Sequence, residues 1–117
     1  MSGVPISWYL ALAGALFAVG VFGALTRRNA ITVFLAIELM LNSVNLVLIA
    51  YSRQLAEALG PSAGPAAGAS AAATGQVIVL FVISVAAAEA AVGLALFIAV
   101  YRRRRTIDID RLNLMRW

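Results

Sequence analysis

Residues 77–101 read VIVLFVISVAAAEAAVGLALFIAVY, an unbroken apolar run whose one charged side chain is Glu89. At 1.5 Å of rise per residue, about 20 such residues cross a hydrocarbon core of about 30 Å. Two further runs of this kind precede it. Residues 5–25 are PISWYLALAGALFAVGVFGAL, and residues 30–51 are AITVFLAIELMLNSVNLVLIAY, in which Glu38 is again the only charge. Strands are excluded for these runs, because lipid cannot satisfy an open sheet edge and three strands cannot close a barrel. The expected fold is therefore all-α and integral to the membrane, with three transmembrane helices at about 5–25, 30–51 and 77–101.

Composition agrees with that reading. The 117-residue chain is 63% hydrophobic and 12% charged, and its mean hydropathy is +0.97. A soluble domain carries about 25% charged residues. The first run has no basic segment before it, its apolar core is too long, and it lacks a convincing small-x-small cleavage site before Arg27, so it is expected to be a retained helix and not a signal peptide. The chain contains no cysteine and no histidine. That removes iron–sulfur and histidine or cysteine haem ligation, structural zinc, and a Ser–His or Cys–His nucleophile. No glycine-rich phosphate loop follows a strand, so nucleotide binding is unsupported. No cofactor and no metal are expected in this chain.

The net charge of +4 comes from nine arginines, and their distribution speaks to topology more than to nucleic acid. Arg27 and Arg28 fill the first connection, Arg102, Arg103, Arg104 and Arg105 follow the third run, and Arg53 is the one arginine in the second connection. Basic residues gathered at membrane exits mark the cytoplasmic side. The expectation is a periplasmic N-terminus, a cytoplasmic first loop, a periplasmic second loop and a cytoplasmic tail over 102–117. Such a tail can meet anionic lipid headgroups, and no nucleic-acid partner is expected.

The first connection is short, which makes the first two helices antiparallel neighbours. The second, over 52–75, contains LGPSAGPAAGASAAATG, an Ala, Gly, Ser and Pro composition that reads as a flexible periplasmic loop, with RQLAEAL at its start able to prolong the second helix by a turn or two. The tail TIDIDRLNLMRW alternates apolar and polar residues as far as Arg111 and suits an extended segment laid along a partner. Small residues four apart (Gly14 and Ala18; Ala87, Ala91 and Ala95) allow close helix approach in lipid. They run most of the way round the third helix, as expected of a subunit with several neighbours.

The two carboxylates are the candidate functional groups. A charge at the bilayer centre costs about 2.5–3.5 kcal/mol on insertion scales, and chains keep such groups mainly for ion or proton handling. Glu38, Asn42 and Asn45 follow i, i+4, i+7 spacing and form one polar stripe within about 60° of helix surface, able to orient a short file of water. Glu89 is flanked on its own face by the small residues Ala86 and Gly93, while Ser84 lies off that face and bonds back to its own helix. Counted from the cytoplasmic helix ends, Glu38 lies about 12 Å deep and Glu89 about 18 Å deep, an offset of about one turn. Low dielectric favours a neutral carboxyl, the state in which a group carries a proton. The structural alternative is that each acid makes an interhelical hydrogen bond or pairs with a basic group. The spans hold no Lys or Arg, so that partner would belong to another subunit.

With these residues in view, the chain resembles a known family over nearly its whole length: the K subunit of proton-pumping NADH–quinone oxidoreductase, respiratory complex I. The resemblance rests on RRN in the first loop, IELMLNSVNL around Glu38, and GQV together with AAAEAAVGLA around Glu89. It implies a non-redox subunit of a proton-translocating enzyme in the bacterial cytoplasmic (inner) membrane, between quinone-site and antiporter-like subunits of the membrane arm. NADH, FMN, iron–sulfur clusters and quinone would all belong to other subunits. Glu38 and Glu89 would be stations of a hydrated charged axis, supported by Asn42 and Asn45, with Arg27 and Arg28 supporting coupling from the cytoplasmic loop. The stretch 61–73 departs from the family pattern as an Ala/Gly-rich insertion. Related C-type subunits of multisubunit sodium/proton antiporters, or of membrane-bound hydrogenases, are the alternative the resemblance leaves open.

Overall fold

A computed structural model describes residues 3–105 and 107–111 of the chain. It contains three long helices, α1 (Ile6–Thr26), α2 (Ala30–Ala63) and α3 (Pro65–Arg104), followed by a short 3-10 turn at Ile109–Arg111. All three long helices are long and apolar enough to cross a membrane.

Helix ends follow local chemistry. Pro5, in extended conformation, precedes α1, and its carbonyl accepts from the Trp8 N–H at 3.1 Å. At the other end the Thr26 hydroxyl donates back to the Phe22 carbonyl at 2.7 Å. Asn29 caps α2: its side-chain oxygen accepts from the Ile31 N–H at 3.0 Å, satisfying a donor that has no partner within the helix.

The second connection differs from expectation. Where composition predicts a flexible loop over 52–75, α2 continues to Ala63 and α3 begins at Pro65, so that Gly64 alone separates them. The physical reason is that alanine is the strongest helix former and does not by itself make a linker. The segment RQLAEAL likewise consists of good helix formers, and Arg53 and Glu57 add an i, i+4 pair at 3.3 Å. Gly64 adopts φ 90, ψ 163, a region essentially reserved for glycine. Pro65 then supplies the preset φ suited to a first helical position. At about 51 Å and about 60 Å, α2 and α3 both exceed the hydrocarbon core, and the longest dimension of the molecule is 62 Å. Both helices are therefore longer than the apolar layer is thick, and Gly64 turns them into a helical hairpin.

Helix α2 is central, with α1 packed on one side and α3 on the other. Small residues make both seams. A Cβ on Gly20 of α1 would run into the Met40 side chain and come within 2.8 Å of the Ala36 carbonyl oxygen on α2. On the other seam, a Cβ on Gly68 would lie 2.7 Å from the Ala56 carbonyl oxygen, and one on Gly75 would overlap Ser52. Further along, Gly93 meets the Phe34 ring, which is packed edge-on against Phe97 at 5.5 Å and 79°.

The small residues singled out by spacing lie elsewhere. Nothing stands within 4 Å of a Cβ built on Gly14, and Ala18, Ala87, Ala91 and Ala95 are all exposed. Trp8, Phe22 and Phe81 are also largely uncovered. These faces are unused by the chain's own packing.

Over the residues described, the tail returns to its own chain, and 107–110 folds back on the α1–α2 loop. The Ala30 N–H donates to the Ile107 carbonyl and the Ile109 N–H to the Arg28 carbonyl, both at 2.9 Å. Asn29 and Asp108 thus form an antiparallel bridge. Arg28 adds an exposed ion pair with Asp110 at 3.2 Å. An unpaired loop carbonyl and the unpaired N–H at the start of α2 find partners there, which is why the segment returns. Thr106 and residues 112–117 lie outside the described residues.

Candidate functional site

Asn45 is buried, Glu38 half-buried and Asn42 exposed. The three share one side of α2, and the inner end of the stripe points into the α2/α3 seam. Taking Phe34 as facing α3, Asn45 falls about 20° and Glu38 about 40° round the helix from that direction. Ser43, also buried, faces the α1 side and donates to its own helix at the Met40 carbonyl, 2.6 Å away. Ser84 on α3 back-bonds as expected, to the Leu80 carbonyl at 2.8 Å.

The contacts at Gly75 and Gly93 determine how Glu38 and Glu89 stand relative to one another. Gly75 meets Ser52 toward one end of the seam, and Gly93 meets Phe34 toward the other. Glu38 lies four residues beyond Phe34 along α2, and Glu89 lies four residues before Gly93 along α3. Because the helices run antiparallel, the two acids are level. The one-turn offset counted from helix ends does not hold, because α3 overruns the start of α2 and the two ends are not at the same height.

Level acids need not face each other. Moving four residues along a helix turns the side chain by about 40°. Forward on α2 and backward on an antiparallel α3 are the same direction in space, so each acid rotates away from the seam in the same sense. Since Phe34 and Gly93 face each other, that rotation carries Glu38 to one flank and Glu89 to the other. Between them the α3 wall is made of Ala86, Ala90 and Gly93, all half-buried. Glu89 is itself exposed.

Arg28 pairs with Asp110 and Arg53 with Glu57, and neither pair involves Glu38 or Glu89. Arg27 and Arg28 stay at the basic end, with Arg28 two residues before α2 begins, so they are about a dozen ångströms of helix away from Glu38. The structure thus sets Glu38 and Glu89 at one level of the hairpin, with Asn42 and Asn45 one and two turns further along α2, and leaves the loop arginines apart. No cluster of three or more His, Cys, Asp or Glu side chains occurs among the described residues.

Two open pockets lie away from the acids. One, of about 310 Å³, sits between the N-terminal segment and α2 and includes Tyr9, Leu46, Arg53 and Glu57. The other, of about 430 Å³, lies at the basic end and includes Arg28, Tyr101 and Arg105. Asn29, Arg105 and Asp110 take individual roles in the structure that their spacing does not announce. The N-capping preference of asparagine was a signal for the first. Nothing local marked the other two, whose placement depends on the returning tail.

The family described as NADH-ubiquinone/plastoquinone oxidoreductase chain 4L matches residues 8–117. NADH-quinone oxidoreductase subunit K of Leptospira biflexa serovar Patoc (strain Patoc 1 / Ames) is 43% identical over 100% of this chain and 96% of its own length. NAD(P)H-quinone oxidoreductase subunit 4L of Nostoc sp. (strain PCC 7120 / SAG 25.82 / UTEX 2576) is 46% identical, over 97% of this chain and all of its own. NADH-quinone oxidoreductase subunit K 2 of Geotalea uraniireducens (strain Rf4) is 48% identical over 93% of this chain and 94% of its own.

Proposed function

We propose, for a chain that belongs to the NADH-ubiquinone/plastoquinone oxidoreductase chain 4L family, that it is a membrane-arm subunit of NADH–quinone oxidoreductase and passes protons laterally through Glu38 and Glu89. It contributes no redox group of its own. Electron transfer from NADH to quinone takes place on other subunits, and its effect reaches this one as a change in local charge or hydration. The Gly64 turn is assigned to the periplasmic side and the basic end to the cytoplasmic side of a bacterial inner membrane.

The observation that carries this reading is the pairing of two acids at one level on opposite flanks of a seam lined by Ala86, Ala90 and Gly93. A path along the pore axis gains nothing from two groups at equal height. A path across the membrane plane does, because each acid addresses a different neighbouring subunit while small side chains between them leave space for water. Asn45 in the seam, with Asn42 outside it, supplies amide donors and acceptors to orient that water. The uncovered faces of α1 and α3 supply the surfaces such neighbours need.

The test is Glu38→Gln in the assembled complex. The amide keeps size and hydrogen bonding but holds no exchangeable carboxyl proton. Assembly should persist while proton pumping coupled to NADH oxidation falls strongly. Undiminished pumping by a fully assembled Glu38→Gln complex would refute the relay.

A further inference from the structure

The basic end carries more built structure than the direction of membrane crossing requires. Because Phe34 is level with Gly93, the start of α2 is level with residue 97, and Tyr101 and Arg105 stand one to two turns beyond it. The tail then crosses back over α2 through the two hydrogen bonds to Arg28 and Ala30. Between loop, helix end and tail this leaves an open pocket of about 430 Å³ lined by Arg28, Asn29, Tyr101, Arg105, Ile107 and Asp108.

Arg105 occupies this pocket at φ 58, ψ 23, in the left-handed region, with its N–H donating to the Tyr101 carbonyl at 2.7 Å. Glycine is the residue that this helix-ending position favours. An arginine there retains a guanidinium against the backbone preference. Arg27, Arg102, Arg103 and Arg104 are exposed around it, and Asp108 and Asp110 are the acids nearby. The Arg28–Asp110 pair is solvent-exposed on both sides (78% and 60%), the kind of pair a stronger anion displaces.

The surface below the pocket is apolar. Leu94, Ile98, Tyr101 and Arg105 follow i, i+4, i+7, i+11 spacing, a single stripe down α3. Leu94, Ile98 and Tyr101 are all exposed. The stripe thus runs from hydrocarbon, past an aromatic at headgroup height, to a guanidinium.

We propose that this is a binding site for an anionic phospholipid. Arg28 and Arg105 donate to its phosphate, as guanidinium forks do to paired oxygens, and an acyl chain lies along Leu94 and Ile98. A free inorganic anion has no use for the stripe, and topology alone has no use for an arginine in left-handed conformation. The proposal does not depend on the proton-relay reading.

The test is native mass spectrometry of the full chain in detergent, titrated with phosphatidylglycerol, with phosphatidylcholine, and with phosphatidylglycerol in the presence of inorganic phosphate. The wild-type chain is expected to prefer phosphatidylglycerol. Arg105→Gly, which suits the backbone and keeps the helix end, and Arg28→Gln should each weaken that preference about fivefold, the value of one surface arginine to an anionic lipid. Arg103→Gln/Arg104→Gln removes more charge but on other faces of α3, and should change it less than either single variant. Circular dichroism should show unchanged helix content in Arg105→Gly. Three results overturn the site: no preference in the wild type, equal losses in all variants, or displacement of the lipid by inorganic phosphate. Unchanged lipid binding in the two pocket variants, with failure of both to enter the assembled complex, would assign the pocket to an acidic protein segment instead.

Discussion

Gly93→Val tests the seam on which the level placement of the two acids depends. A Cβ at residue 93 would sit 3.0 Å from the Cε2 and Cζ atoms of Phe34, whereas carbon atoms rest at about 3.5–4.0 Å. Valine adds two methyl groups beyond that Cβ, so either the ring turns or the helices part. Overpacking of this kind costs about 1–3 kcal/mol. If the ring turns, its edge-on contact with Phe97 is lost as well, adding about 0.5–1.5 kcal/mol. The expected destabilisation is therefore about 1–3 kcal/mol if the helices part and about 1.5–4.5 kcal/mol if the ring turns. It is measurable as a shift in the SDS-induced unfolding midpoint of the purified chain, followed by circular dichroism.

The partner variant Phe34→Leu removes the offending ring edge. In a double-mutant cycle, Phe34→Leu/Gly93→Val should recover at least about 0.5 kcal/mol relative to the sum of the single variants, the lower end for residues in contact. In the assembled complex, Gly93→Val should also lower protons pumped per NADH oxidised, and the double variant should restore part of the loss. A Gly93→Val effect below about 0.5 kcal/mol, or strict additivity of the pair, would refute the antiparallel register and with it the level arrangement of Glu38 and Glu89.

Three further outcomes follow from the same structure. Glu89→Gln should reduce pumping less than Glu38→Gln, with Asn42→Ala and Arg27→Ala smaller still; the reverse order in assembled complexes would identify Glu89 as the main station. Gly64→Ala forces a side chain onto φ 90, ψ 163 and should cost about 1–3 kcal/mol, seen in the same unfolding assay and as faster proteolysis at the hairpin tip. Asn29→Ala removes the α2 cap and should cost about 1 kcal/mol, with faster amide exchange confined to the first turn of α2.

Much of the fold was legible from residues alone. Three apolar runs, each interrupted by at most one charge, gave helices whose starts the structure matches closely at Ile6 and Ala30. The segment 52–75 resembles a linker only when Ala and Gly are counted together. Six alanines among residues 65–75 favour helix, and the glycines at 68 and 75 are contact points between helices. Nothing in a linear reading separates those two uses of glycine. Similarly, Gly14 and Ala18 have the spacing of a packing motif yet stay uncovered, while Gly20 makes the contact with α2.

The sequence by itself determined that this chain enters the membrane, how many times it can cross, and which side chains carry charge into the apolar layer. These follow from hydrophobicity and backbone hydrogen bonding, which sum locally along a helix. Only the tertiary structure decided that α2 is central, that α2 and α3 continue into a hairpin turned by a single glycine, and that the tail folds back on the first loop. It also decided that Glu38 and Glu89 are level and on opposite flanks. The physical reason is that relative height and facing are set by where residues distant in sequence touch, as Gly75 touches Ser52 and Gly93 touches Phe34. Distances counted from each helix's own end carry no information about its neighbour.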